Sequence, residues 1–240
     1  MQRDQLSTLR ADVLERARSA FAHMDEISEQ NTKKVLDVMR ACRVSDVHFN
    51  VSAGYAYSDL GREKLDEVYA RVFGAERALV RTQFVSGTHA LAAVLFGLLR
   101  PGDRLISITG TPYDTMQTVI GWAHESCGSL KEFGVSYDEL PLREGGVDLD
   151  SIVHVMTPET KIALVQRSRG YSEREPLSIA DIRAVSARIK AANPNCIVFV
   201  DNCYGEFVET EEPTAIADVD IMAGSLIKNP GGGLAPTGGY

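Results

Sequence analysis

The 240-residue sequence has one tryptophan, four cysteines and no stretch of roughly 18 consecutive apolar residues. The last absence excludes a membrane-spanning helix. The cysteines are Cys42, Cys127, Cys196 and Cys203. None belongs to a C-x-x-C pair, and two lie in or beside an apolar, strand-like run. They therefore read as reduced thiols of a cytoplasmic protein and not as a disulfide framework. Residues Met1 to Gln5 are polar and charged, and no apolar signal core follows them. An excess of cations is also missing: the formal net charge is -8. That argues against a general nucleic-acid or anionic-membrane surface, although it leaves room for a local phosphate pocket. No H-E-x-x-H motif is present, which argues against a catalytic metal. Neither phosphate-cradling glycine pattern, G-x-x-x-x-G-K-[ST] or G-x-G-x-x-G, occurs. The nucleophile elbow G-x-S-x-G is absent as well.

What is present is an ordinary globular composition, 44% hydrophobic and 24% charged, in a chain long enough for one large α/β domain. Residues 1–50 read as an N-terminal helical arm and 51–240 as the main domain. Apolar residues at helical spacing (Leu6, Leu9, Val13, Leu14, Ala17, then Val35, Val38, Met39) predict two helices within 1–43. Residues 44–62 are irregular. A helix is expected over 63–73, closed by Gly74. From there strands and helices alternate: strands at 77–81, 104–108, 131–137, 161–166, 196–200 and 221–223, helices at 87–99, 113–122, 152–156 and 179–191. Ser178 and Asp181 are spaced as a capping box for the last helix. Strands that are apolar on both faces predict an α/β fold with a mostly parallel sheet covered by helices. Ligands of such sheets collect at the carboxyl ends of strands. Ser86-Gly87-Thr88, Tyr113, Ser168, Asp201 and Lys228 all fall at or after such ends.

Lys228 follows the run Val219 to Ala223, within Ser225-Leu226-Ile227-Lys228-Asn229-Pro230 and ahead of three glycines, 231–233. Asp201 closes the run Cys196 to Val200. A lysine amine can form a Schiff base with an aldehyde cofactor, and a carboxylate can keep a pyridine nitrogen protonated. Together they fit pyridoxal 5′-phosphate. Ser225 lies three residues before the lysine and can donate to a phosphate. Ser86-Gly87-Thr88 opens an apolar helix, where backbone N–H groups and the helix dipole favour an anion, and Ser86 also serves as an ordinary N-cap. His89, in the first turn, reads as a packing residue. Tyr113 can stack on a planar ring. Arg167 and Arg169, flanking Ser168, can each grip a phosphate or carboxylate or remain surface charges, and the sequence does not choose between them.

Several segments resemble the cystathionine/methionine lyase group of fold-type-I pyridoxal-phosphate enzymes, and within it the aluminium-resistance, methionine gamma-lyase-like branch. Tyr55-Ala56-Tyr57-Ser58, Leu65-Asp66-Glu67-Val68 and Phe73-Gly74-Ala75-Glu76 are similar to its entry segment. Ser86-Gly87-Thr88 resembles its phosphate turn, Tyr113 its ring-stacking tyrosine and Asp201-Asn202 its pyridine-nitrogen aspartate. Ser225 to Lys228 resembles its S-x-x-K segment. The runs 166–171 and 228–240 resemble the branch in particular.

The resemblance implies a pyridoxal 5′-phosphate-dependent carbon–sulfur lyase acting on a small sulfur-containing amino acid. Lys228 would carry the cofactor and move the α-proton, Tyr113 would stack and assist, and Asp201 would pair with the ring nitrogen. Ser86, Gly87, Thr88, Ser225 and Ser168 would complete the cofactor site. Tyr57 would reach the phosphate of a neighbouring subunit, implying a homodimer or homotetramer. An arginine usually follows the Tyr-Ser pair in this group. Here Asp59 stands there and Arg62 lies three residues on. The expected domain is truncated at its C-terminal side, without the small domain that supplies a carboxylate-binding arginine. An aldolase, an aminotransferase, and a catalytically inert stress- or metal-resistance protein are the alternatives on the same fold.

Overall fold

A computed structural model describes residues 3–52, 59–122 and 127–240. The first element is a single helix, α1 (Arg3–Ala41), where the sequence reading expected two. No glycine or proline interrupts 1–43, so nothing breaks the backbone ladder. The polar stretch between the two apolar groups is absorbed by contacts instead. Asn31 Nδ2 donates to the carbonyls of Phe207 and Glu209, and Lys34 Nζ donates to that of Thr210.

Helix α2 (Leu60–Phe73) is capped by Asp59, whose carboxylate accepts from Arg62 N, and closes on Gly74 with φ 69°. Its start precedes the expected one because Asp59 is the cap. Helices α3 (Gly87–Leu98), α4 (Asp114–Ile120), α5 (Ile152–Val155) and α6 (Ile179–Ala192) alternate with strands. The strands are β1 (Arg104–Ser107), β2 (Ser136–Glu139), β3 (Thr160–Gln166), β4 (Ile197–Asp201) and β5 (Ile221–Ala223). The capping box on α6 forms as read: Ser178 Oγ accepts from Asp181 N, and the Asp181 carboxylate accepts from Ser178 N.

All five strands are parallel, in the order β2-β1-β3-β4-β5. Side chains of one strand alternate between two cores. Ala163, Val165, Val198 and Val200 pack beneath α6, with Ile182 and Ile189. Ile162, Leu164 and Phe199 face α3 and α4, with Leu91, Leu95 and Met116. Both faces of the sheet are therefore covered, as a parallel sheet requires. Each core side chain of this size contributes about 1.5–3 kcal/mol through burial.

Two expected strands are corrected. Residues 77–81 form no strand, only one antiparallel bridge, Arg81 with Gly239. Asp66 of α2 takes the backbone N–H of Val80 and binds the Arg81 guanidinium with both oxygens, at 2.7 and 2.9 Å. A side chain thus satisfies groups that a neighbouring strand would otherwise pair. The strand expected at 131–137 starts later, at Ser136, because turns around Gly134 (φ 81°) occupy the preceding residues. Among the described residues no helix is long and apolar enough to cross a membrane, and no cluster of metal-ligating side chains exists.

Candidate active site

The direction of the connections reverses between β1 and β3, and the carboxyl ends of those strands and of β4 and β5 stand side by side. Gln166 is in register with Asp201, and Asp201 with Ala223. The loops leaving these ends enclose a cleft of about 1150 Å³. Ser86, Gly87, Thr88, Tyr113, Ser168, Asp201, Ser225 and Lys228 all line it. Eight residues expected from sequence to share a site are thus brought together. The ninth, Tyr57, lies outside the described residues.

Asp201 is 3% exposed, and its Oδ1 accepts the N–H of Cys203 at 3.0 Å. Burial pushes its carboxyl above the usual range, while the Cys203 hydrogen bonds and the charge of Lys228 pull it back. A buried carboxylate at a strand end can pair with a positively charged group that enters the cleft. Lys228 Nζ sits 4.2 Å from the centroid of the Tyr204 ring. Tyr204 itself has φ 68°, a left-handed backbone conformation unusual for an aromatic residue. This cation–π contact joins residues 24 positions apart and is set by the fold.

Tyr113 is held at both ends. Its N–H donates to Gln166 Oε1 at 3.1 Å, and its hydroxyl shares a hydrogen bond with Thr88 Oγ1 at 3.0 Å. Thr88 Oγ1 is also 3.1 Å from Thr115 Oγ1. Burial first, then Asp201, pushes the Tyr113 hydroxyl well above the usual tyrosine range. The tyrosine is therefore neutral across physiological pH. Ser86 caps α3 by accepting His89 N–H at 3.1 Å, so the positive end of a twelve-residue helix opens onto the cleft. His89 is exposed and edge-on to Phe84, and its Nδ1 accepts from Val85 N.

Two features test whether a phosphate-bearing group fits. Ser225 is 1% exposed, and its Oγ has no hydrogen-bond partner among the described residues. A buried hydroxyl without a partner costs about 1–3 kcal/mol, so it calls for a ligand oxygen. Gly87, at the helix N-terminus, could carry no side chain without crowding: a Cβ there would stand 3.0 Å from Cys203 Sγ and 3.1 Å from Ser225 Cβ. Backbone is thereby exposed to the cleft beside that serine. The residues present fit a pyridoxal phosphate group.

The two arginines are placed differently. Arg167 is buried, and its guanidinium donates to Asn202 Oδ1 (2.9 Å), the Gly205 carbonyl (2.8 Å) and Glu209 Oε2 (2.7 Å). Glu212 lies 3.5 Å away. Arg167 thus anchors the 201–212 loop beneath the cleft, whereas Arg169 is exposed on its rim. The loop's acidic residues were missed in the sequence because only the fold places them against Arg167. Asp59 and Arg62 are 3.4 Å apart at the start of α2, where they serve the cap.

Fold and cleft together define a pyridoxal-phosphate fold-type-I large domain. The chain belongs to the methionine gamma-lyase family, whose model matches residues 6–240. It is 51% identical over 219 residues to the protein YnbB of Bacillus subtilis, an alignment covering 90% of this chain and 52% of that one. It is 47% identical to a solved carbon-sulfur lyase involved in aluminum resistance from Clostridium novyi, with a TM-score of 0.93 over 99% of this chain and 57% of the other. The same fold, at 19% identity and TM-score 0.62, occurs in the pyridoxal-5′-phosphate dependent protein YhfS of Escherichia coli, over 84% of this chain and 50% of that one. The chain therefore spans between half and three-fifths of the length of these relatives.

Proposed function

We propose that the chain binds pyridoxal 5′-phosphate through Lys228 and takes part in cleaving a carbon–sulfur bond of a small amino acid. The observation that carries this reading is the convergence of Lys228, buried Asp201 and unpartnered Ser225 Oγ on one cleft at the strand ends. When bound, the cofactor supplies an electron sink for the pair left at the substrate α-carbon. The protein's own groups do the rest. Asp201 holds a proton at the ring nitrogen by offering a buried negative charge. Lys228 Nζ would hold the cofactor through its aldehyde carbon and would be the base for the proton at the substrate Cα. Tyr113, neutral and fixed by Gln166 and Thr88, would stack on the cofactor ring, and it keeps a hydroxyl proton available in the cleft. Gly87, Thr88 and Ser225 bind the phosphate, and Arg169 on the rim is the cation best placed to meet a substrate carboxylate.

Carbon–sulfur cleavage, in preference to aldol cleavage or transamination, is supported by family membership and by the Clostridium novyi relative. The test is direct. Pyridoxal 5′-phosphate is added to the purified chain, the visible absorption band is recorded, and the complex is reduced with borohydride. Mass spectrometry is expected to place the adduct on Lys228; an adduct elsewhere, or none, refutes the cofactor assignment. Incubation with cystathionine, methionine or cysteine is then expected to release ammonia and a 2-oxo acid. Cofactor binding with no release from any of them refutes the lyase reading alone.

A further inference from the structure

We propose that Tyr204 is a positioning residue: the face of its ring is the berth of the Lys228 ammonium when that amine carries no cofactor. The inference deepens the proposed function, from which it takes the role of Lys228. Nζ stands 4.2 Å from the ring centroid. Among the described residues it makes no hydrogen bond or ion pair, and the ring is its direct partner. Asp201, Cys203 and Glu206 feel the lysine's charge, but each carboxyl has its own donor. Asp201 accepts the N–H of Cys203, and Glu206 accepts the Tyr240 hydroxyl.

The backbone resists an aromatic residue at this position and is held there regardless. With φ 68°, Tyr204 lies in the left-handed region, which a side chain with a Cβ disfavours. Its loop is clamped from two sides. From the lysine's own loop, Asn229 Nδ2 donates to the carbonyls of Tyr204 (3.1 Å) and Glu206 (2.9 Å). From the other side, Arg167 donates to the Gly205 carbonyl at 2.8 Å and presses so close that a Cβ on Gly205 would stand 2.4 Å from its Cδ. The ring is 60% exposed and lines the cleft, so core packing does not account for it. An unfavourable conformation kept under such restraint beside a cleft points to a function. The face of an aromatic ring attracts an ammonium far more than a neutral amine. In the proposed function Lys228 is the base for the Cα proton. Accepting that proton turns Nζ into an ammonium and leaves the electron pair of the C–H bond at Cα. The berth therefore favours the lysine form that follows proton transfer, and it keeps a flexible four-carbon stem in the cleft.

The test reads Lys228 in the cofactor-free 240-residue chain. Propanal with cyanoborohydride alkylates lysines through the neutral amine, and peptide mass spectrometry compares Lys228 with the exposed Lys131 and Lys161. Tyr204→Leu is expected to label Lys228 about two- to fivefold faster than wild type, the size of a cation–π contact at an exposed site, with Lys131 and Lys161 unchanged. Tyr204→Phe keeps the ring and is expected to match wild type. Tyr204→Trp, with the more strongly attracting ring, is expected to label more slowly. A Lys228 rate indifferent to the ring overturns the proposal, as does an equal rise in Tyr204→Leu and Tyr204→Phe. With pyridoxal 5′-phosphate and cystathionine the order is expected to reverse, Tyr204→Leu turning over about two- to fivefold more slowly and Tyr204→Phe like wild type. Unchanged turnover in Tyr204→Leu also overturns it. A chain whose labelling follows the ring but which takes up no pyridoxal 5′-phosphate supports the berth and refutes the proposed function.

Discussion

The Tyr240 hydroxyl donates to Glu206 Oε1 at 2.7 Å, in the space left by the absent side chain of Gly224. Glu206 is 1% exposed. Burial pushes its carboxyl up to about 7, with the Tyr240 hydrogen bond pulling the other way. A carboxyl whose pKa rises on folding binds its proton more tightly in the folded state. Its contribution is complete below the unfolded pKa of about 4.3 and is lost as pH rises toward 7. Glu206→Gln keeps an acceptor for Tyr240 but cannot ionise. Thermal unfolding at pH 5 is expected to be similar for both proteins. At pH 8 the variant is expected to be more stable, by an amount on the order of 3 kcal/mol at most. A difference independent of pH would refute the assignment of the raised carboxyl to Glu206.

Ser225 separates apo stability from ligand affinity. Its buried Oγ has no partner among the described residues, so Ser225→Ala is expected to leave the apo chain as stable or about 1 kcal/mol more stable. The same change removes a donor from the phosphate site. Fluorescence titration with pyridoxal 5′-phosphate is expected to show affinity about tenfold weaker. A less stable apo variant with unchanged affinity would show that the serine serves the fold alone.

Gly87 leaves only tight room for a methyl group. Gly87→Ala places a carbon 3.0 Å from Cys203 Sγ and 3.1 Å from Ser225 Cβ. Overpacking of this kind costs about 1–3 kcal/mol. Cys203→Ala in the same chain takes away the nearer obstacle, so urea unfolding of the double variant is expected to recover part of the loss. Strict additivity of the two changes would contradict direct contact.

Arg167 ties together acceptors at four positions of the 201–212 loop. Arg167→Met leaves Glu212, 2% exposed, without the guanidinium 3.5 Å away, Asn202 Oδ1 without its donor, and the Gly205 carbonyl with only the Val208 N–H. Breaking a buried pair on one side costs about 3–5 kcal/mol. Arg167→Lys is expected to recover less than half of this, since one ammonium cannot span three separate acceptors. Denaturant midpoints check both values.

The cofactor cleft was largely legible because a parallel sheet puts its loops at one end. Once strands ending at Gln166 and Asp201 are recognised, Tyr113, Ser168, Asp201 and Lys228 share an address without further geometry. What stayed hidden depends on pairs far apart in sequence. Arg167 with Glu209 and Glu212, Asp66 with Arg81, and Tyr240 with Glu206 look like ordinary surface charges until folding removes them from water. The misread strand at 77–81 has the same origin, since its backbone needs were met by Asp66 of α2. The break expected in α1 came from a polar stretch that in fact points Asn31 and Lys34 at the body.

The loop that carries Lys228 is fastened by residues 238–240. Leu226 N–H donates to Gly238, Gly224 and Tyr240 exchange backbone hydrogen bonds, and Gly239 bridges onward to Arg81. Arg81 and Gly239 stand more than 150 positions apart, and closing so long a loop carries a large entropic cost with little reward until the sheet exists. The lysine therefore takes its place late in folding. On a ribosome, the cleft stays unfinished until residues 238–240 have emerged from the exit tunnel, so any ligand of the cleft meets an already assembled sheet.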